Sequence, residues 1–291
     1  MKVLVIGNGG REHAICWKLS SSPLVSKIFC CPGNGGTGQV AENVLLAPLT
    51  VQGMADFAEN QQIDLTVVGP EAFLAQGIVD EFQKRGLAIY GPTKYAAQLE
   101  ASKVYAKDFM KKYNIPTAQY QTFTDPASAK DYIALAGVPL VIKADGLAAG
   151  KGVVVAFDQE TALEAVDEAM TQKIFGDAGA AVVIEEYLEG EEVSLLAFCD
   201  GKAAVPMLPV QDHKRIGDGD TGPNTGGMGT YTPTTVYTEE IAAKVQQEIL
   251  NPTIRAMAAE GVPFVGTLFL GLMLTAQGPK LIEYNVRFGD P

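Results

Sequence analysis

Short, continuous apolar runs punctuate the first ninety or so residues. Residues 3–6 read Val-Leu-Val-Ile, and similar runs recur at 27–31, 63–68 and 87–90. Between them lie stretches with helical spacing at 11–20 and 72–85. Strands that are apolar on both faces and separated by helices predict a parallel sheet covered on both sides. Residues 1–100 are therefore expected to form a doubly wound α/β domain. Residues 101–121 are more charged and helical, with Pro116 as a stop, and are expected to link it to the second half of the chain.

The rhythm then changes. Strands are predicted at 139–144, 152–157 and 180–186, with a helix around 159–170. An antiparallel pair is predicted at 193–198 and 203–207, then a polar loop over 211–230 and a long helix over 239–259. Two strands, 265–274 and 279–286, come last, around a Gln-Gly turn. This half reads as α+β, with one subdomain over 122–188 and another over 189–291.

Hydrophobic residues make up 47% of the chain, a globular composition. A net charge of −12 argues against nucleic-acid binding by a basic surface, but local cations and backbone N–H groups can still hold phosphate. No apolar run approaches the ~20 residues that a membrane span needs. The four cysteines have no CxxC spacing, and two histidines exclude a histidine-rich metal site. A monomer in a reducing cytoplasm, without membrane or nucleic-acid partners, is the expectation.

Three loops of the first domain should lie at the C-terminal edge of its sheet, where such folds bind ligands. They are Gly7-Asn-Gly9-Gly10-Arg11-Glu12, Pro32-Gly-Asn34 and Gly69-Pro-Glu71. The first does not complete a dinucleotide fingerprint. Glu12 stands at the third glycine position, and no acid comes after the second strand. Tight turns without a ligand are the alternative reading of each. A second glycine loop, Lys143-Ala-Asp-Gly146-Leu-Ala-Ala-Gly150-Lys151-Gly152, is not a P-loop. Its spacing is one residue short, and Gly152 replaces the magnesium-binding hydroxyl. As a hairpin between strands it can fold over a polyphosphate, or it is a surface hairpin with solvated lysines.

The last strand alternates. Ile282, Tyr284 and Val286 are expected to face a core, with Glu283, Asn285 and Arg287 on the other side. A carboxylate and an amide oxygen side by side are hard ligands suited to Mg²⁺, and an arginine one step on can neutralise a bound phosphate. The alternative is a solvated face with an ion pair. The segment from Glu185 and Glu186 to Tyr187, Leu188 and Glu192 can offer backbone groups to an adenine edge and a carboxylate to a ribose, or it is an acidic turn.

Taken together these motifs resemble the glycinamide ribonucleotide synthetases (phosphoribosylamine–glycine ligases) of the ATP-grasp superfamily, over nearly the whole chain. Gly91-Pro-Thr93, Gln211-Asp-His-Lys-Arg215, Gly222-Pro-Asn-Thr-Gly-Gly-Met-Gly229 and Arg287-Phe-Gly-Asp-Pro291 add to the likeness. The resemblance implies an N-terminal pre-ATP-grasp domain and an ATP-grasp domain. It also implies ligation of glycine to 5-phosphoribosylamine through glycyl phosphate, using ATP and Mg²⁺ or Mn²⁺. By position it implies Lys103 and Lys143 for the nucleotide phosphates, with Gly146 to Gly152 as the covering loop. Residues 185–188 and Glu192 take adenine and ribose, and Lys214 and Asn224 face the nucleotide. Glu283 and Asn285 hold the metal, and Arg287 and Lys143 stabilise the transferred phosphate. Gly9, Gly10, Asn34 and Glu71 hold phosphoribosylamine. Asp212, counted among the catalytic groups, lines the glycine pocket with Gly226, Gly227 and Gly229.

Two departures go with the resemblance. Many ATP-grasp enzymes carry a further metal-binding acid on the penultimate strand, and residues 265–274 contain none. Members of the family also continue into a C-terminal domain that closes the substrate site, whereas this chain stops at Pro291. The alternative expectations are a non-catalytic ATP-binding fragment or another ATP-grasp carboxylate–amine ligase.

Overall fold

The structure, a computed structural model, describes residues 1–147, 152–213, 215–219, 221–225 and 227–290. The first sheet is wholly parallel, in the order β3-β2-β1-β4-β5. Its strands are β1 (Lys2–Gly7), β2 (Lys27–Pro32), β3 (Glu42–Asn43), β4 (Leu65–Val68) and β5 (Ile89–Tyr90). β1 is apolar throughout because both faces are covered. Val3 and Val5 pack with Cys16 on one side. Leu4 and Ile6 pack with Met54 and Phe82 on the other.

The helix predicted over 72–85 is two helices, Glu71–Gln76 and Ile78–Lys84, broken at Gly77, whose φ of 90° lies in the left-handed region. Helix Val51–Gln61 was not anticipated, although its buried Val51, Met54, Ala55 and Ala58 have helical spacing and Thr50 caps Gly53.

A second sheet, in the order β6-β9-β7-β8, contains β6 (Tyr120–Phe123), β7 (Leu140–Ala144), β8 (Val153–Ala156) and β9 (Val182–Glu186). Helices Pro126–Ala136 and Gln159–Val166 cover one face of it, packing on Ile142, Ala144 and Ile184. A third sheet, in the order β11-β10-β16-β17, contains β10 (Glu191–Asp200), β11 (Ala204–Pro206), β16 (Val265–Thr275) and β17 (Gly278–Asn285). The long helix behind it runs through Glu239–Lys244, a π-turn over Val245–Leu250, and Asn251–Ala259.

Two expectations need correction. The stretch 211–230 is not simply a loop. β12 (Gln211–Asp212) pairs with β15 (Thr230–Tyr231), and β13 (Arg215–Gly217) pairs with β14 (Thr221–Asn224). Simple alternation also fails in β17. Glu283 lies opposite Gly271, but Leu281 lies opposite the adjacent Leu272, so Ile282 is the extra residue of a β-bulge. Leu281, Tyr284 and Val286 are buried, and Ile282 is only half-buried. Among the described residues, no helix is long and apolar enough to cross a membrane.

Tyr284 joins the layers. Its hydroxyl lies 2.7 Å from that of Thr253, and its ring meets Phe109 edge-on at 6.3 Å. Truncating Tyr284→Ala leaves a cavity where the long helix, helix Lys103–Lys112 and the third sheet meet. Unfolding in denaturant is expected to show a loss of about 3–5 kcal/mol, the range for large buried aromatics.

Candidate active site

The third sheet turns its apolar face to the core, and its other face carries the candidate site residues. Ser194, Gly271 and Glu283 lie in one row across β10, β16 and β17. Gly271 leaves room beside the glutamate, since a Cβ there would come within 3.1 Å of Glu283 Cγ. Asn285, two residues on, is buried. Lys103, at the start of helix Lys103–Lys112, brings its ammonium to 3.9 Å from Glu283 Oε2. Asp145, just past the end of β7, holds that helix start by accepting from Val104 N at 3.1 Å and Ser102 Oγ at 3.0 Å.

Arg287 lies among three oxygen-bearing side chains. Its Nη2 is 3.1 Å from both Glu100 Oε1 and Asn285 Oδ1, and its Nε is 3.4 Å from Glu71 Oε2. Glu100 is buried and also accepts from Val286 N at 2.7 Å. Burial pushes its carboxyl above the usual range, and Arg287 opposes that shift.

The second sheet supplies another charged group. Val141 lies opposite Glu185 and Lys143 opposite Val183, so Lys143 and Glu185 are diagonal neighbours on one face. Lys143 Nζ is 2.9 Å from Glu185 Oε1, and Lys107 Nζ is 2.8 Å from Glu185 Oε2. All three side chains are at most 3% exposed. Lys143 also donates to the carbonyl of Ile282 at 3.1 Å, and Lys107 donates to Thr117 Oγ1 at 2.8 Å. The carboxylate of Glu185 is thus engaged by lysines. That of Glu186 pairs with Lys280 at 2.9 Å and accepts from Gln119 N at 3.0 Å. Tyr187 packs on Phe157, Leu188 is half-buried, and Glu192 is exposed. Gly146 has a φ of 108°, and a Cβ there would press on Ala178 at 2.9 Å. Gly152, N-terminal to β8, accepts from Ala144 N through its carbonyl at 2.8 Å, whereas Gly150, Lys151, Lys214 and Gly226 lie outside the described residues.

In the first domain the loops hold one another. Glu12 is buried and accepts from Gly9 N at 2.6 Å. Its side chain fills the space beside Gly7 and Gly69, where added Cβ atoms would come within 2.5 Å and 1.8 Å of it. A carboxylate therefore occupies the place where a dinucleotide's pyrophosphate would approach, which disposes of the dinucleotide reading. Asn34 donates to the carbonyls of Asn8 and Gly9 at 2.9 and 3.1 Å and accepts from Gly36 N and Thr37 N. Gly10 is exposed at the start of helix Gly10–Ser20, and Arg11 N donates to Asp290 Oδ1 at 3.0 Å. Asp212 and the strand that carries it meet Gly227 and Gly229. His213 N bonds Gly229 O at 3.0 Å, and a Cβ on Gly227 would lie 3.7 Å from Asp212 Oδ1. Asn224 ends the short strand paired with Arg215.

Residues 1–100 match the phosphoribosylglycinamide synthetase N domain, and residues 101–291 match the phosphoribosylglycinamide synthetase ATP-grasp (A) domain. The chain belongs to the phosphoribosylglycinamide synthetase family. The phosphoribosylamine–glycine ligase of Yersinia pestis is 54% identical over 294 residues, covering all of this chain and 69% of that relative. The crystal structure of the phosphoribosylamine–glycine ligase of Thermotoga maritima is 36% identical, with a TM-score of 0.85, over 100% of this chain and 70% of that one. The biotin carboxylase domain of Hydrogenobacter thermophilus 2-oxoglutarate carboxylase, in complex with magnesium ADP, has a TM-score of 0.74 at 16% identity. It covers 99% of this chain and 64% of that one, and shares the fold alone. A parallel-sheet domain followed by an ATP-grasp domain is thus the architecture of this synthetase-family chain.

Two charged residues that the structure brings against the candidate site residues were missed in the sequence. Lys107 shares the buried stripe of its helix with Ala106 and Met110, and a lysine on such a stripe signals a buried partner. Glu100 directly follows the apolar Leu99 and is likewise an acid on a buried face.

Replacing Glu100 with Ala leaves Arg287 without its nearest carboxylate and Val286 N without an acceptor. Denaturant unfolding is expected to show a loss of about 3 kcal/mol, as for other broken buried pairs. Lys107 gives a pH signature. Burial pulls its ammonium down to about 8; Glu185 opposes this and Lys143 adds to it. An unfolded chain keeps that lysine protonated up to its ordinary value of 10.5, so in this window it binds more protons than the folded one. The Lys107 contribution therefore makes stability rise between about pH 8 and 10.5. Stability measured across that window should lose this rise in Lys107→Met.

Proposed function

We propose that the chain joins glycine to 5-phosphoribosylamine at the expense of ATP, through glycyl phosphate. The observation that carries this reading is the meeting of Lys103, Lys143 and Arg287 around the strand that bears Glu283 and Asn285. Three cations around two hard-oxygen ligands suit a polyphosphate whose terminal group is to be transferred.

The residues present fit a divalent cation. Glu283 and Asn285 present a carboxylate and an amide oxygen two positions apart; Gly271 leaves room beside Glu283, and Asn285 Oδ1, which accepts from Arg287, keeps a second lone pair. Mg²⁺ characteristically takes one or two protein oxygens and completes its shell with phosphate and water. When bound, the ion supplies Lewis-acid stabilisation of the transferred phosphate.

The chain's own groups do the rest. Lys143 and Lys103 orient the phosphates, and Arg287 offsets charge on the γ-phosphate as the glycine carboxylate oxygen attacks phosphorus and ADP leaves. The backbone of 185–188 seats adenine, and Glu192 takes the ribose. Lys214, Asn224 and the loop from Gly146 through Gly150 and Lys151 to Gly152 cover the nucleotide. Asp212 with Gly226, Gly227 and Gly229 lines the glycine pocket, and Gly10 and Glu71 face phosphoribosylamine alongside Gly9 and Asn34. The amine of phosphoribosylamine then attacks the acyl carbon of glycyl phosphate. Inorganic phosphate leaves, and the amine gives up a proton. These roles place the domain limits near residues 100, 121 and 188, and the protein works as a monomer.

ADP release should depend on glycine and phosphoribosylamine together, and Glu283→Ala should slow it by at least about a hundredfold, the scale on which losing a transition-state electrostatic group is felt. Equal rates in the two proteins would sink the metal assignment.

A further inference from the structure

Lys143 faces a conflict that the proposed reaction does not resolve. To draw a phosphate it must carry positive charge, yet its ammonium is 2.9 Å from a buried carboxylate. A lysine and a glutamate in contact form a neutral pair, and a neutral pair attracts a polyphosphate weakly. The structure adds a third member. Glu185 gives one oxygen to each of two ammoniums, so Lys107, Glu185 and Lys143 together carry one net positive charge. Lys107 has its own second acceptor in Thr117 Oγ1, whose hydroxyl in turn donates to Leu281 O at 2.6 Å. It is therefore fixed against β17 and cannot itself swing into the candidate site without breaking those bonds. Lys143 donates to Ile282 O, whereas its contact with Glu185 Oε1 is an ion pair without a hydrogen bond, so the ammonium, which has three donors, keeps two of them uncommitted.

We propose that Lys107 is a positioning residue that acts as the standing counterion of Glu185, leaving Lys143 with its charge available to the phosphates of the nucleotide. The proposal rests on the nucleotide reading of the candidate site. Burial holds Lys107 low, but at neutral pH it remains charged, as the role requires.

The test separates phosphate binding from binding of the nucleoside. Affinities of the whole chain for ATP with Mg²⁺ and for adenosine are measured by calorimetry in wild type, Lys107→Met and the double variant Lys107→Met/Glu185→Gln. Lys107→Met should weaken ATP by about tenfold or more, as expected for losing one partly screened charge. Adenosine should change by less than about twofold on the same reasoning, because it carries no charge. The double variant removes the carboxylate as well, returns the net charge to that of Lys143 alone, and should recover ATP affinity. Unchanged ATP affinity in Lys107→Met overturns the proposal, as does an equal loss of ATP and adenosine or a double variant that stays weak. If Lys107→Met does not fold, the double variant decides: ATP affinity near that of wild type supports the proposal, and a tenfold loss overturns it. A wild-type chain that binds no ATP removes the nucleotide site itself, an outcome distinct from all of these.

Discussion

Glu185 is the point on which the candidate site is built. A carboxylate buried to this degree is costly unless its charge is met by well-placed donors, and here two ammoniums meet it from different elements. One comes from helix Lys103–Lys112 and the other from β7, while Glu185 itself lies on β9. The three elements must therefore stay in register with one another or leave a charge uncompensated. The same ammonium of Lys143 reaches the carbonyl of Ile282, so the second sheet is also tied to the third. The bulge at Ile282 matters here. An extra residue locally interrupts the ladder between β16 and β17, and the carbonyl of that residue is the one that accepts from Lys143.

The shape of the fold was largely legible, because it is written in apolar periodicity. β1, β2 and β4 are short apolar runs, and the hairpin-linked strands β7 and β8 flank the glycine loop as expected. What escaped was whatever depends on contacts between distant segments. Periodicity cannot reveal a bulge, since Ile282 has the same hydrophobic character whether it continues the alternation or interrupts it. Nor can it show that Arg215–Gly217 pairs with Thr221–Asn224, because that ladder is short and polar. Helix Val51–Gln61 is a different kind of miss: its stripe was present but diluted by Gly53 and by small alanines.

The site divides in the same way. Glu283, Asn285 and Arg287 are candidates that the strand pattern offers, and Lys103, Lys143 and the glycine loop are candidates that resemblance offers. Lys107 and Glu100 carry only a weak local mark that names no partner. Each is a charged residue on an otherwise buried face, and its partner lies far away in sequence: Glu185 for the first, Val286 and Arg287 for the second. In the first domain the difficulty ran the other way. Gly7, Gly9 and Gly69 suggested a cradle open to a ligand, but the space that their missing Cβ atoms leave is filled by Glu12 at Gly7 and Gly69 and by Asp290 at Gly9. Those glycines are explained by internal carboxylates before any ligand is invoked.

Arg287 makes the two halves of the chain one site. Its side chain meets both the first domain, through Glu71 and Glu100, and the proposed metal strand, through Asn285. A guanidinium has donors enough for several oxygens in a fixed plane, so its direction is set by the sum of its partners. Glu100 is the stronger anchor, because it is buried and its other oxygen is fixed by Val286 N. Glu71 is more exposed and its contact longer, 3.4 Å against 3.1 Å, so it is the partner that an incoming anion would displace at lower cost. Glu71 in the first domain and Asn285 on β17 are thus joined through one side chain.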